Sequence, residues 1–300
     1  EEVTMADSVR VRVPATSANL GPGYDCMGLA LDLWDEVGVE VLDRPGVVID
    51  VTGEGADTVP HDESHLVVAT MRQGLVEFGY PRPDAGLRLA AVNSVPQSRG
   101  LGSSAAAIVS GLALAWGLAR PGRPLDRTAL LTMTAAIEGH PDNAAPAILG
   151  GAQLAWLEGG IVNHIGLAVN PSIIFRVCVP DRHVPTTLAR QVLPEQVERA
   201  HAVHQVLAAS LLITALTTSP GHLLAATQDW LHQPYRRSLM PESATLMDSL
   251  RRRGVAAVIS GAGPTVLALG TRDQLDMASD VDTAGFVVHD LVLGEGVHFL

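Results

Sequence analysis

Apolar and polar positions along this chain change period from segment to segment, which predicts a mixture of strands and helices. Residues 9–13 (VRVRV) alternate with a period of two, as a strand with one buried face does, and Pro14 then predicts a loop, PATSANLGPGYD. Residues 29–42 are apolar and partly β-branched, with Val37, Val39 and Val41 alternating, and predict one strand or two. Residues 47–51 predict another, closed by the turn residues TGEG. Helical spacing follows over 66–78, then LRLAAVNSVP predicts a strand that runs into VPQSRGLGSSAA and a helix over 105–119. The turn RPGRPLD leads to a helix over 126–138, with Asp126 placed to cap it. GHPDNAAPAILGGAQLAWLEGG predicts a loop, a short helix and a strand hairpin.

In the second half, strands are predicted at IIFRVCVP, 256–260, 265–269 and 285–292, and helices at 188–192, 196–217, 221–229 and 243–253. Strands and helices mix without regular βαβ repetition, which favours an α+β fold over a doubly wound sheet. A boundary fits between 166 and 171, giving an N-terminal unit over 1–168 and a C-terminal unit over 169–300.

Composition narrows the class. A chain of 300 residues with 47% hydrophobic and 17% charged residues has ample core. Its longest apolar stretch, 105–119, is shorter than the roughly 20 residues that a membrane span needs. The opening EEVTMADSVR has no basic region ahead of an apolar one, so no secretory signal and a cytoplasmic protein are expected. A net charge of -12 argues against nucleic acid, which demands a basic face. Arg251, Arg252 and Arg253 form the one basic cluster and are expected on the solvated end of a helix, ahead of Gly254. The two cysteines, Cys26 and Cys178, are expected as reduced thiols. All 20 residues of the Lys+Arg count are arginine. A Schiff-base lysine, a pyridoxal phosphate anchor, a Walker-A lysine and a protein-kinase lysine are therefore all excluded.

Four loops carry candidate chemistry, and each has a plain structural reading beside the functional one. In VPQSRGLGSSAA, Gly100 and Gly102 allow close approach of backbone to a ligand, and Ser103 and Ser104 stand at a helix start whose free N–H groups suit phosphate. Equally, the glycines make a turn and the serines cap the helix. Glu138 in EGHPDN has the chemistry of a Mg²⁺ ligand, with Ser104 as a hydroxyl partner; Asp142 or Asn143 can instead cap the short helix AAPAIL. PATSANLGPGYD forms an ordered turn expected to carry Asn19 and Asp25 outward. SGAGPT, between two strands, reads locally as a hairpin connection. Two further arginines, Arg190 and Arg236, have the planar fork that suits a carboxylate, although exposed structural arginines are commoner.

Taken in order, PATSANLGPGYD, VPQSRGLGSSAA, EGHPDN and SGAGPT resemble the motifs of the GHMP kinases, over about residues 9 to 269, and within that family most of all the members acting on homoserine. The resemblance implies an N-terminal α+β domain of the ribosomal protein S5 domain 2-like type and a ferredoxin-like C-terminal domain, with ATP and the acceptor between them. It implies ATP-dependent phosphorylation of the L-homoserine hydroxyl on the route to threonine, with Mg²⁺ held by Ser104 and Glu138. The phosphate loop would be Pro96, Gln97, Ser98, Arg99, Gly100, Leu101, Gly102, Ser103, Ser104, Ala105 and Ala106, buttressed by SGAGPT. Asn19, Asp25, His140, Arg190 and Arg236 would hold homoserine, with Asn19 beside the reacting hydroxyl, the arginines on the carboxylate and Asp25 on the ammonium. No dedicated base is implied. His65 stands where the family commonly has asparagine near adenine, and Gln97 and Arg99 replace smaller loop residues. The resemblance implies no nucleic-acid or membrane partner and leaves room for a homodimer. Alternatives are a kinase of the same family for another small hydroxylated acceptor, or a silent nucleotide- or sugar-sensing paralogue.

Overall fold

The computed structural model describes residues 7–300, so the first six residues of EEVTMADSVR lie outside the described residues. The first half of the chain gives β1 (Ser8–Ala18), β2 (Met27–Leu42), β3 (Val47–Gly53), α1 (Leu66–Glu77), β4 (Gly86–Asn93), α2 (Ser103–Ala119), α3 (Arg127–Glu138), α4 (Ala144–Leu149), β5 (Ala152–Glu158) and β6 (Ile161–Leu167). The second half gives β7 (Ile174–Pro180), α5 (Thr186–Gln191), α6 (Arg199–Thr217), α7 (Leu223–Ala226), α8 (Gln233–Arg236), α9 (Pro241–Arg252), β8 (Ala256–Ile259), β9 (Val266–Gly270), α10 (Arg272–Asp276), β10 (Phe286–Leu291) and β11 (His298–Phe299).

The first sheet runs β11-β1-β2-β4-β3, with β5 pairing β2 and β6 pairing β5. Val11, Val13, Val37 and Val39 face helices α1 to α3 through Met71, Leu75, Leu112 and Leu130, the buried half of the alternation read from the sequence. Asp126 does cap α3, accepting the Ala129 N–H at 2.9 Å. Strand β1, however, does not stop at Pro14. It continues to Ala18, with its register against β2 shifting between Pro14 and Ala15. A proline that cannot donate to the ladder is tolerated at such a bulge, and the extra strand carries the chain directly to Asn19.

The second sheet runs β10-β7-β9-β8, all antiparallel. Both faces of β8 and β9 are covered, which explains why those two strands are apolar throughout rather than alternating. Phe175, Val177, Leu267 and Leu269 face Leu212 and Leu216 of α6, while Cys178, Val266 and Ala268 face Leu246 and Leu250 of α9. The first of these cores also takes in Leu20, Leu29, Leu31 and Leu101 from the first layer, so one apolar cluster joins the two. By length and composition α6 passes as a membrane-crossing helix.

The expected boundary at 168/169 falls in the link from β6 to β7, where the chain changes sheets. The end of the chain then crosses back, with Gly294 N–H on the Ala30 carbonyl, Val297 N–H on that of Ala147, and β11 paired with β1. Arg251 is not solvated as its cluster suggested. It donates to the carbonyls of Leu224 and Ala257 and to the Thr227 hydroxyl, tying α9 to α7 and β8. Cys26 and Cys178 are free thiols.

Candidate active site

The stretch Pro96–Ala106 lies where the two layers meet. Four consecutive carbonyls of this loop are engaged by the scaffold around it. Ser98 accepts from Val184 N–H, Arg99 from Thr265 N–H, Gly100 from the Ser260 hydroxyl at 2.6 Å, and Leu101 from Thr16 N–H. Every second residue is left-handed, with φ of 54° at Ser98, 81° at Gly100 and 69° at Gly102. That alternation makes successive N–H groups converge into a concave anion nest. Gly102 is the N-cap of α2 and no side chain caps the helix, so Ser103 and Ser104 are not capping serines. The helix start keeps its free N–H groups and partial positive charge for a ligand.

No lysine is needed at such a site. Glycine is required at two points. A Cβ on Gly100 would lie 2.2 Å from the Ser260 carbonyl oxygen, and one on Gly102 would lie 1.9 Å from the Thr16 hydroxyl. SGAGPT therefore both connects β8 to β9 and props the loop from behind.

Two cavities open from this loop and share Ser98, Ser103 and Ser104. One, of about 360 Å³, gathers the polar side chains of Asn19, Asp25, Glu138, His140, Arg190 and Arg236. Asn19 is not turned outward. It is 4% exposed, its Nδ2 donating to the Gly261 carbonyl and its Oδ1 accepting the Asp25 N–H. Asp25 takes both terminal nitrogens of Arg190 at 2.9 and 3.1 Å, so the carboxylate expected to meet an ammonium is already paired with one of the expected arginines.

Arg236 is 2% exposed and donates to the carbonyls of Ala189 and Gly261. His140 Nδ1 meets Asp142 Oδ1 at 2.6 Å, which raises the His140 pKa. Asn143 accepts from the Thr16 hydroxyl rather than capping α4. Burial raises the carboxyl of Glu138, while the Ser104 hydroxyl and His140 pull it back down. Ser104 in the first turn of α2 and Glu138 at the end of α3 thus line the same cavity.

The other cavity, of about 260 Å³, is mainly apolar, walled by Val37, Val67, Val95 and Ala107. Its polar groups are few and buried. Asp35 accepts the N–H groups of Ser94 and Val95, and burial lifts its carboxyl to about 6. His65 Nδ1 and Ser110 Oγ have no protein partner. An apolar slot with a few aimed polar atoms is the form that small-molecule and cofactor pockets take.

Not every residue of the loop faces a ligand. Leu101 and Ala106 are core residues and Pro96 lines neither cavity, whereas Gln97 lines the second one. Arg99, its side chain 12% exposed, reaches Glu54, Asp181 and His183, bridging the first layer to the turn after β7. Sequence reasoning passed over Tyr24 and His232. Tyr24 lies between the two arginines, accepting from Arg190 and lying 5.6 Å under the Arg236 guanidinium. Its ring stacks on that of His232. The one available signal was position, Tyr24 being next to Asp25 and His232 one helical turn before Arg236.

With this geometry in place, family comparison is decisive. A model of the GHMP kinases N terminal domain matches residues 65–151, and one of the GHMP kinases C terminal region matches 212–281. The chain belongs to the GHMP kinase family. Among its GHMP relatives, a homoserine kinase from Cutibacterium acnes is 85% identical over 295 residues, covering 98% of this chain and 100% of that protein. A homoserine kinase from Streptomyces coelicolor is 49% identical over 273 residues, 90% of this chain and 87% of that one. The crystal structure of homoserine kinase from Cytophaga hutchinsonii superimposes with a TM-score of 0.85 at 26% identity, over 100% of this chain and 99% of its own. A mevalonate kinase structure, at 12% identity and a TM-score of 0.68 over 95% of this chain and 99% of its own, shares the fold.

Proposed function

We propose that this chain is an ATP-dependent kinase that phosphorylates the side-chain hydroxyl of L-homoserine. The observation that carries the reading is the full-length 85% identity to a homoserine kinase, joined to a polar cavity that opens on the phosphate loop and presents two arginines. The phosphates would lie in the nest at Ser98–Gly102 and against the start of α2, and the base in the apolar cavity beside Asp35 and His65. Homoserine would occupy the polar cavity, its carboxylate on Arg236 with Arg190 alongside, its ammonium near Asp25 and its hydroxyl toward Asn19.

The donor set of one carboxylate and one hydroxyl, Glu138 and Ser104, fits Mg²⁺, which takes few protein ligands and completes its shell with phosphate oxygens and water. When bound there, Mg²⁺ would neutralise charge on the phosphates. The chain's own residues do the rest. Loop amides fix the phosphates, the arginines and Asn19 orient the acceptor, and phosphoryl transfer then proceeds by positioning and electrostatic stabilisation without a strong base. Retention of Ser104, Glu138 and the loop speaks against a silent sensor. A further clause of the proposal is that the product feeds threonine synthesis.

The test is ADP release measured with L-homoserine, mevalonate, galactose or no acceptor. Release stimulated by homoserine alone is expected; equal rates with and without homoserine would overturn the proposal.

A further inference from the structure

Arg236 is carried on α8, a helix of only four residues, so its aim has to be set by what surrounds it. Its Nε donates to the Ala189 carbonyl at 2.9 Å, and Nη1 donates to the Gly261 carbonyl at 3.1 Å and to His232 Nδ1 at 3.2 Å. Guanidinium nitrogens only donate, so His232 Nδ1 accepts. The opposite ring nitrogen, Nε2, lies 2.8 Å from the Gly21 carbonyl oxygen, which only accepts, so Nε2 carries the hydrogen. The two contacts leave one possibility for the ring, the neutral Nε2–H tautomer. Burial lowers the pKa of the imidazole and favours the same form, against the pull of the Asp229 carboxylate, whose Oδ2 lies 3.5 Å from Nε2.

His232 is itself fixed. The Asp229 carboxylate accepts the backbone N–H groups of Leu231, His232 and Gln233, and also the side-chain amide of Gln205. The same Gln205 amide donates to the Pro22 carbonyl. Gly21 and Pro22 belong to the loop that carries Asn19, Tyr24 and Asp25. One buried network therefore holds both the loop and the arginine, across 211 residues of sequence between His232 and Gly21.

We propose that His232 is a positioning residue for acceptor binding. Its neutral ring bridges Gly21 and Arg236, and so sets the distance between the Asn19–Asp25 loop and the guanidinium that takes the acceptor carboxylate. The inference rests on the assignment of Arg236 made above. It explains why a fully buried histidine lies beside a substrate cavity without lining it.

The test compares His232→Phe, which keeps a ring against Tyr24 but can neither accept nor donate, with His232→Gln, whose amide can do both. Michaelis constants for homoserine and for ATP are measured for each, alone and combined with Arg236→Ala. The expected result for His232→Phe is a homoserine KM raised about tenfold, the scale of one lost hydrogen bond to a charged group, with the ATP KM within about twofold. His232→Gln should recover most of that loss, and His232→Phe should add little once Arg236→Ala is present.

If Arg236→Ala raises the homoserine KM and His232→Phe does not, the positioning role is wrong while the Arg236 assignment stands. If Arg236→Ala leaves it unchanged, the assignment itself fails. Parallel rises in both KM values, without rescue by His232→Gln, would mark His232 as merely structural and overturn the inference. Should His232→Phe fail to fold, His232→Asn, whose shorter amide cannot span both partners, carries the same expectations.

Discussion

Gly100→Ala probes the proposed phosphate loop where its backbone is most constrained, and Gly122→Ala supplies the control. Both glycines are left-handed, with φ of 81° and 72°, but a Cβ on Gly122 would meet nothing within 4 Å. One on Gly100 would lie 2.2 Å from the Ser260 carbonyl oxygen and 3.0 Å from Gly263 N and O, all backbone atoms that cannot rotate aside. The left-handed penalty of about 1–2 kcal/mol applies to both variants. So does the opposing gain of about 0.4–1 kcal/mol from a stiffer unfolded chain. Those contributions cancel in the comparison.

What remains for Gly100→Ala is the collision. To relieve it the loop must move by about an ångström, enough to break the Ser260 hydroxyl bond to the Gly100 carbonyl, a further loss of about 1 kcal/mol. In a chain of this size that lowers Tm by roughly 2 °C below the control. Function should suffer more, because a displacement of about 1 Å in positioning groups costs about 100-fold in rate. Thermal melting and steady-state kinetics with ATP as the varied substrate provide the assay. Gly100→Ala should lose about two orders of magnitude in kcat/KM for ATP, while Gly122→Ala stays within about twofold of the parent. Equal kinetics and equal Tm for the two variants would refute the claim that SGAGPT fixes the loop by direct backbone contact.

Two other predictions concern charges beside the site. Burial raises the Asp35 carboxyl from 3.8 to about 6, so the folded state binds that proton more tightly than the unfolded chain. Stability therefore falls as pH rises from about 4 to about 6, by about 3 kcal/mol in full. Asp35→Asn keeps an acceptor for Ser94 and Val95 and should be more stable than the parent in urea at pH 8, with the gap closing at pH 4; a gap independent of pH would contradict the assignment. Arg99→Ala should leave the KM values for ATP and homoserine within about twofold, because its guanidinium is engaged by Glu54 and Asp181 and lines neither cavity. A tenfold rise in the ATP KM would return Arg99 to the phosphate site.

Local features of this fold could be read from the sequence because local physics sets them. The alternation at 9–13 and 37–41 and the Asp126 cap need only their neighbours, and the structure has them as expected. What could not be read depends on residues far away in the chain. Pro14 predicts a break, yet the strand passes it on a bulge supplied by pairing with β2. Arg251 looks solvated within RRRG, yet three carbonyls or hydroxyls from α7 and β8 enclose it.

The site divides along the same line. The loops were visible as motifs, since glycine spacing and helix starts are local. The pairing of Asp25 with Arg190 was not, because 165 residues separate them. Nor was the helix cap: Ser103 and Ser104 look like caps until Gly102 is seen to hold that position.

The central claim is that the polar cavity recognises an amino acid by its carboxylate through Arg236 and delivers its hydroxyl to the phosphate loop. The most direct measurement is kcat/KM for L-homoserine and for 3-amino-1-propanol, the same molecule without its carboxylate, in the parent and in Arg236→Ala. A gap of at least about 100-fold is expected in the parent, as when a buried charged group loses its partner, and it should largely collapse in the variant. A gap that persists undiminished in Arg236→Ala would show that the carboxylate is held elsewhere than on Arg236.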